Sequence, residues 1–242
     1  MYWGKVKFVP ERVEHVRSDE EPLNPQYVGI FGGTFDPPHL GHRRLVELAV
    51  EYLGLEKIWV IPAGIPVHRE LSGKASVEQR LAWVERTFEG LPQVEVKSWE
   101  IQQKAVPAID TLRRLNQDMP TIVPVWLMGL DAWLHIQGWI GYPEHQQRCL
   151  VAVFKRGDGD CPLYAGWQAS SRQQWAEVSL RNKGQVVFVD VDIPEVSSTD
   201  IRSRILTIQQ GSSQLLKGLV CPGMESQIQA VYENKETGVK YE

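Results

Sequence analysis

The stretch Gly29-Ile30-Phe31-Gly32-Gly33-Thr34-Phe35-Asp36-Pro37-Pro38-His39-Leu40-Gly41-His42 decides the fold. It reads as an apolar strand, a glycine turn, and two histidines opening a helix. Gly32 and Gly33 are expected to take backbone dihedrals that a side chain forbids and to let a ligand approach the main chain closely. His39 and His42 stand three residues apart, so at a helix start they share one face. Free backbone N–H groups and the positive end of the helix dipole lie there too, which suits phosphate. No Lys-Ser/Thr follows the glycines, and Gly-Gly-Thr is not Gly-x-Gly-x-x-Gly, so neither a Walker A loop nor a dinucleotide fingerprint is present. For an isolated His-x-x-His, two solvent-facing histidines or a zinc pair would be the simpler explanation. The ordered run of strand, glycines, prolines and histidines argues instead for a nucleotide.

A second stretch of the same character lies far downstream, Val196-Ser197-Ser198-Thr199-Asp200-Ile201-Arg202. Ser197 or Ser198 is a good N-cap for a following helix. Arg202 falls in the first turn, where side chains lean toward the helix N-terminus, so its guanidinium can fork onto an anion held there. By itself the stretch also fits an ordinary capped helix with a surface arginine.

Between these stretches, strand and helix patterns alternate. Strands are expected over 27–31, 57–61, 93–96, 122–128, 149–154 and 186–190. Helices are expected over 40–53, 76–89, 108–117, 143–148, 171–180, 198–209 and 222–233. This alternation predicts an α/β fold, a Rossmann-like doubly wound parallel sheet flanked by helices, with ligands at the carboxyl ends of the strands. Residues 1–25 are charge-rich, end in Glu-Glu-Pro-Leu-Asn-Pro, and read as an N-terminal extension. Residues 26–242 read as one domain without an internal boundary.

Composition narrows the function classes. The chain has 242 residues, 43% hydrophobic and 23% charged, enough for one sizeable core. A net charge of −4 gives no broad nucleic-acid surface. The longest nearly unbroken apolar run, 122–130, is too short to cross a bilayer and contains Pro124, so no membrane association is expected. Lys5, Lys7, Glu11 and Arg12 interrupt any signal-peptide core. Cys149, Cys161 and Cys221 are odd in number and widely spaced, which fits a reducing cytoplasm better than a zinc site or a disulfide framework.

Gly-Gly-Thr-Phe-Asp-Pro-Pro-His-Leu-Gly-His resembles the signature of the HxGH nucleotidyltransferases, most of all the bacterial nicotinate mononucleotide adenylyltransferases. Val196 to Arg202 resembles that family's Ile-Ser-Ser-Thr-x-x-Arg. The resemblance covers about residues 27–235. It implies adenylyl transfer from ATP to nicotinate mononucleotide, with Mg2+ accompanying ATP. His39, His42 and Arg202 would be catalytic. Gly32, Gly33, Thr34, Phe35, Arg156, Ser197, Ser198 and Thr199 would join them in binding ATP. Arg156 belongs to Lys155-Arg156-Gly157, similar to the family's Arg-x-Gly near adenine, though a solvated basic loop also accounts for it. For the acceptor, the loop Ile61 to Arg69 resembles the family's Pro-x-x-x-Pro-Pro-His-Lys/Arg, with Val67 at the second proline; it implies His68 and Arg69 near phosphate, although a plain surface loop reads the same way. Gly129-Leu130-Asp131 matches Gly-x-Asp, placing Gly129 and Asp131 at polar nucleotide groups. Trp139, not Trp133, stands at the position of the tryptophan that stacks on a pyridine.

One segment departs from the family. Where Ser-Tyr-Thr-x-x-Thr-Leu is usual, the chain has Val106-Pro107-Ala108-Ile109-Asp110-Thr111-Leu112. Thr111 matches, but Pro107 has no amide hydrogen and Ala108 no hydroxyl to recognise a nicotinate carboxylate. The alternatives are therefore a related nucleotidyltransferase using nicotinamide mononucleotide or another phosphate ester, or a non-catalytic nucleotide-binding protein. Whether the chain works as a homo-oligomer is left open.

Overall fold

In the computed structural model, the structure describes residues 26–64, 75–103, 106–155, 160–171, 173–174, 184–207 and 213–233. Seven strands form one sheet: β1 (Gln26–Gly33), β2 (Ile58–Pro62), β3 (Val94–Val96), β4 (Ile122–Gly129), β5 (Leu150–Lys155), β6 (Gln168–Ala169) and β7 (Gln185–Asp190). Their order is β3-β2-β1-β4-β5-β7-β6, and every pairing is parallel. The helices are α1 (Leu40–Leu53), α2 (Val77–Phe88), α3 (Ala108–Asp118), α4 (Leu130–Leu134), α5 (Ser198–Thr207) and α6 (Glu225–Glu233).

The side-chain period of two divides the strands between two faces. Phe31, Val125, Leu127 and Ala152 meet Leu45, Leu48 and Ala49 of α1 and Val84 and Phe88 of α2. Val28, Ile30, Trp126, Met128 and Val151 meet Leu112 and Leu115 of α3 and the buried Trp133. Both faces are covered, as an all-parallel sheet requires. A third cluster joins α5 and α6 through Ile201, Ile205, Met224, Ile228 and Tyr232.

β1 and β4 are neighbours in the sheet but not in sequence, and chain direction across the sheet reverses between them. Such a switch point opens a crevice at the carboxyl ends of the strands. β1 delivers Gly32-Gly33 to that edge and β4 delivers Gly129.

The expected elements lie close to those observed, with two differences. The helix expected over 143–148 is a 3-10 turn, Glu144–Gln147. The one expected over 222–233 begins at Glu225, because Gly223 takes φ +89° and donates its N–H to Glu225 (2.7 Å). The helix expected over 171–180 lies almost wholly outside the described residues, as does the extension 1–25. Pattern reading missed α4 and β6; five and two residues are too few to display a period.

Candidate functional site

A cavity of about 890 Å³ opens at the crevice between β1 and β4. Gly32, Gly33, Thr34, Phe35, His39, His42, Ser197, Ser198, Thr199 and Arg202 all line it, although more than 150 residues of chain separate the two stretches that supply them. Gly129, Asp131 and Trp139 line it too.

The histidines are held by the start of α1. His39 is the N-cap residue, in extended backbone, and its main-chain N–H donates to Nδ1 of His42 (3.1 Å). That is the backward half of a capping box, with histidine in the place usually taken by Glu or Gln. Nδ1 of His42 is thereby an acceptor, so the ring proton sits on Nε2. The two imidazoles stack at 3.6 Å between centroids, 22° from parallel. Phe35 stands edge-on to His42 at 5.0 Å and Phe31 is tilted against it at 5.9 Å. Burial, and then the neighbouring His39, hold the His42 imidazole well below its ordinary value. At neutral pH it is an uncharged N–H donor. Gly41 leaves room for the His39 ring: a Cβ there would lie a tight 3.0 Å from Nδ1 of His39 and 3.2 Å from Val196.

The glycines do not take the special dihedrals expected of them. Gly32 and Gly33 belong to β1, and neither has a positive φ. They are small because of what lies beside them: a Cβ on Gly32 would be 3.3 Å from the Trp126 ring, and one on Gly33 3.2 Å from the Phe35 ring. The positive φ falls on Phe35 itself, at +51°, a strained conformation for a bulky side chain. Nor are all the first amides of α1 available to an anion, since Leu40 N–H donates to Leu219 O (2.8 Å).

At α5, Ser197 is the cap, its Oγ accepting from Asp200 N–H (3.0 Å). Ser198 turns the other way and donates to Pro37 O (2.8 Å), joining α5 to the turn before α1. The Arg202 guanidinium leans to the helix N-terminus as expected, donating to Asp36 O (2.5 Å) and Thr199 Oγ1 (3.2 Å). The same end of the cavity thus gathers an imidazole N–H, a guanidinium and hydroxyls.

Across the cavity, Gly129 is the N-cap of α4, and Asp131 in its first turn is exposed. Trp139 is half-buried, edge-on to Trp126 (6.2 Å) and to the buried His145 (5.8 Å). Trp133 is wholly buried, donates to Pro162 O (2.8 Å), and packs on Tyr164, Trp167 and Phe188. Of the two tryptophans, therefore, only Trp139 faces the cavity. Trp126 and His135 also line it; an apolar strand residue and a lone histidine carried no pattern that could single them out.

Thr111 does not line this cavity. It is buried, donates to Glu100 (2.7 Å), and borders a separate 270 Å³ pocket. Burial raises the Glu100 carboxyl above the usual carboxylate range. Pro107 caps α3, and its carbonyl receives Asp110 N–H (2.9 Å). His68, Arg69 and Arg156 lie outside the described residues.

Among the described residues, no three His, Cys, Asp or Glu side chains gather as metal ligands. The donors at the phosphate-like end suit anions, so a metal arriving on a polyphosphate fits them better than one caged by carboxylates. No described helix is long and apolar enough to cross a membrane.

Residues 30–204 match the sequence model of the cytidylyltransferase-like family. A probable nicotinate-nucleotide adenylyltransferase of Salinibacter ruber is 30% identical over 178 residues, covering 73% of this chain and 84% of that protein. One from Thermotoga sp. (strain RQ2) is 29% identical over 206 residues, covering 85% and 96%. The solved structure of Plasmodium falciparum nicotinic acid mononucleotide adenylyltransferase complexed with NaAD superposes with a TM-score of 0.65 at 14% identity, covering 86% of this chain and 97% of that one. At that identity the likeness shows the fold alone.

Proposed function

The chain belongs to the cytidylyltransferase-like family, and within it to the nicotinate-nucleotide adenylyltransferases; from that premise we propose that it transfers the adenylyl group of ATP to nicotinate mononucleotide, as a step of NAD synthesis. The observation that carries the residue assignments is the meeting of the His39–His42 pair and Arg202 at one end of one cavity. An oxygen of the acceptor's 5′-phosphate attacks the α-phosphorus of ATP in line. A new P–O bond forms, the bond from α-phosphorus to the bridging oxygen of the β-phosphate breaks, and pyrophosphate leaves with that electron pair. The nucleophile is already an anion, so no general base and no covalent enzyme intermediate are needed.

What the protein supplies is position and charge stabilisation. Nε2–H of His42, its tautomer set by His39 N–H, donates to the α-phosphate oxygens as charge spreads over them. His39, stacked beside it, orients phosphate. Arg202, with Ser197, Ser198 and Thr199 around it, receives the β- and γ-phosphates, while Gly32, Gly33, Thr34 and Phe35 border the nucleotide. Gly129 and Asp131 take polar groups of the acceptor, and the Trp139 face takes its pyridine ring. Mg2+ accompanying ATP would offset phosphate charge, and no cluster of metal-ligating side chains among the described residues would be needed to hold it. The thiols of Cys149, Cys161 and Cys221 fit the reducing cytoplasm in which we place the reaction.

A specific observation favours a second acceptor. Pro107 stands at the N-cap of α3, where the family resemblance expects amides and a hydroxyl to read a carboxylate, and it has no N–H to offer. Nicotinamide mononucleotide or another phosphate ester is then the alternative acceptor. A product assay decides: ATP and Mg2+ with each mononucleotide separately, quantifying dinucleotide and pyrophosphate. The expected result is stoichiometric dinucleotide and pyrophosphate with nicotinate mononucleotide. Turnover of nicotinamide mononucleotide alone would transfer the assignment to the second reading, and ATP binding without product from either would refute both pyridine mononucleotides as acceptors, leaving another phosphate ester or a non-catalytic nucleotide-binding protein.

A further inference from the structure

The turn 34–37 carries the strained Phe35 and gives Arg202 the carbonyl on which its guanidinium rests. A strained conformation persists only where its surroundings over-determine it. Two buried side chains from helices outside the cavity meet this turn. Arg80, in the first turn of α2, is fully buried. Its Nη1 donates to Thr34 O (2.6 Å) and Ala63 O (2.8 Å), and its Nη2 to Gly64 O (2.8 Å). Tyr232, near the end of α6 and 3% exposed, donates its hydroxyl to Asp36 Oδ1 (2.5 Å). Burial, and the Asp36 carboxylate beside it, push the Tyr232 phenol far above its ordinary value, so it remains the donor in that pair.

Burying a guanidinium costs several kcal/mol unless its N–H groups are satisfied. Here Nη1 and Nη2 donate to main-chain oxygens just past the carboxyl ends of β1 and β2, while Nε is buried with no partner among the described residues. A carboxylate such as Asp36, 4% exposed, is likewise costly to bury without a donor. The C-terminal segment has a further hold on the same region, because Leu219 O receives the first amide of α1.

We infer that Tyr232 and Arg80, neither of which lines the cavity, are positioning residues for adenylyl transfer. They pin residues 34–36 from behind, which holds Asp36 O where Arg202 takes it and so sets the direction of the guanidinium. The inference rests on the adenylyl-transfer reading. It extends the working site to α2 and α6, elements that no motif marks.

The test is a double-mutant cycle of Tyr232→Phe with Arg202→Ala, measuring kcat and both KM values in the full chain. Loss of the hydroxyl alone should lower kcat about tenfold and leave the acceptor KM unchanged, since misplacing a catalytic group by about 1 Å costs up to roughly a hundredfold. In the Arg202→Ala background it should cost almost nothing, because groups that act as a unit are strongly non-additive. A kcat equal to wild type, or an equal loss in both backgrounds, would overturn the inference; a generally weakened fold predicts that equal loss. Circular dichroism reports whether Tyr232→Phe folds. If it does not, Arg80→Lys takes its place in the same cycle, keeping the charge but losing the fork. Where wild type makes no dinucleotide, the functional reading fails and the cycle is read instead from the rise in Tm on adding ATP. Tyr232→Phe should then reduce that rise, and reduce it no further once Arg202 is gone. No ATP-induced rise in wild type would overturn the inference along with the reading.

Discussion

Around His39, His42 and Arg202, each polar side chain is oriented by another group. His42 is set by the His39 amide, Arg202 by Asp36 O and Thr199, and Ser198 by Pro37 O. Around Gly129, Asp131 and Trp139 there is little of this. Asp131 is exposed on a five-residue helix, and Trp139 is placed by edge contacts with Trp126 and His145. The half assigned to ATP is preorganised by hydrogen bonds; the half assigned to the acceptor is shaped by aromatic packing. Charge stabilisation in a transition state requires the first kind of order, because a donor even slightly misplaced loses most of its value. Holding a flat ring requires only a surface, which tolerates changes of acceptor.

This contrast can be broken by substitution on either side. The largest effect is expected from His42→Ala, which removes the N–H donor proposed to meet the reacting phosphate. kcat should fall about a hundred- to a thousandfold with the fold intact, by steady-state kinetics and circular dichroism. Near-normal turnover would remove His42 from the mechanism. On the other side, Trp139→Ala should raise the acceptor KM about tenfold, in line with the value of one aromatic contact. The KM for ATP should stay put. If the KM for ATP rises instead, the two halves are assigned the wrong way round.

The smallest effect concerns pH. An unfolded-chain imidazole titrates near 6.5, whereas His42 in the folded chain lies well below that value, chiefly through burial and then through His39. The unfolded chain therefore binds the proton first. This contribution to stability is complete above about pH 6.5 and is lost progressively as the pH falls below it. His145, lowered mainly by burial, acts in the same direction. Melting curves from pH 8 to pH 5 should show a steeper acid decline in wild type than in His42→Ala, with the His145 share common to both. Equal slopes would mean that the folded His42 accepts its proton as freely as the unfolded one.

Much of the fold was legible because it rests on local order. Helix α1 runs over 40–53 as the pattern predicts, and β4 over Ile122–Gly129 lies within one residue of expectation. The histidine pair was legible for the same reason: residues three apart on a helix share a face whatever surrounds them. The special dihedrals expected at Gly32 and Gly33 are absent, and what crowds a side chain there, the Trp126 and Phe35 rings, is not placed beside them by the sequence. Thr111 matched a motif, yet its hydroxyl is taken by Glu100, a partner visible only once α3 has packed.

By itself, then, the sequence determined the alternating elements, the two motif-bearing stretches 29–42 and 196–202, and the family, all properties of short-range pattern. Only the tertiary structure decided that Thr111 turns to Glu100 and away from the cavity, which ring nitrogen of His42 carries the proton, and that Arg80 and Tyr232 stand behind the turn 34–37. Each of these is a contact between groups brought together by packing, and nothing in the residue types alone says where a buried side chain will find its partner.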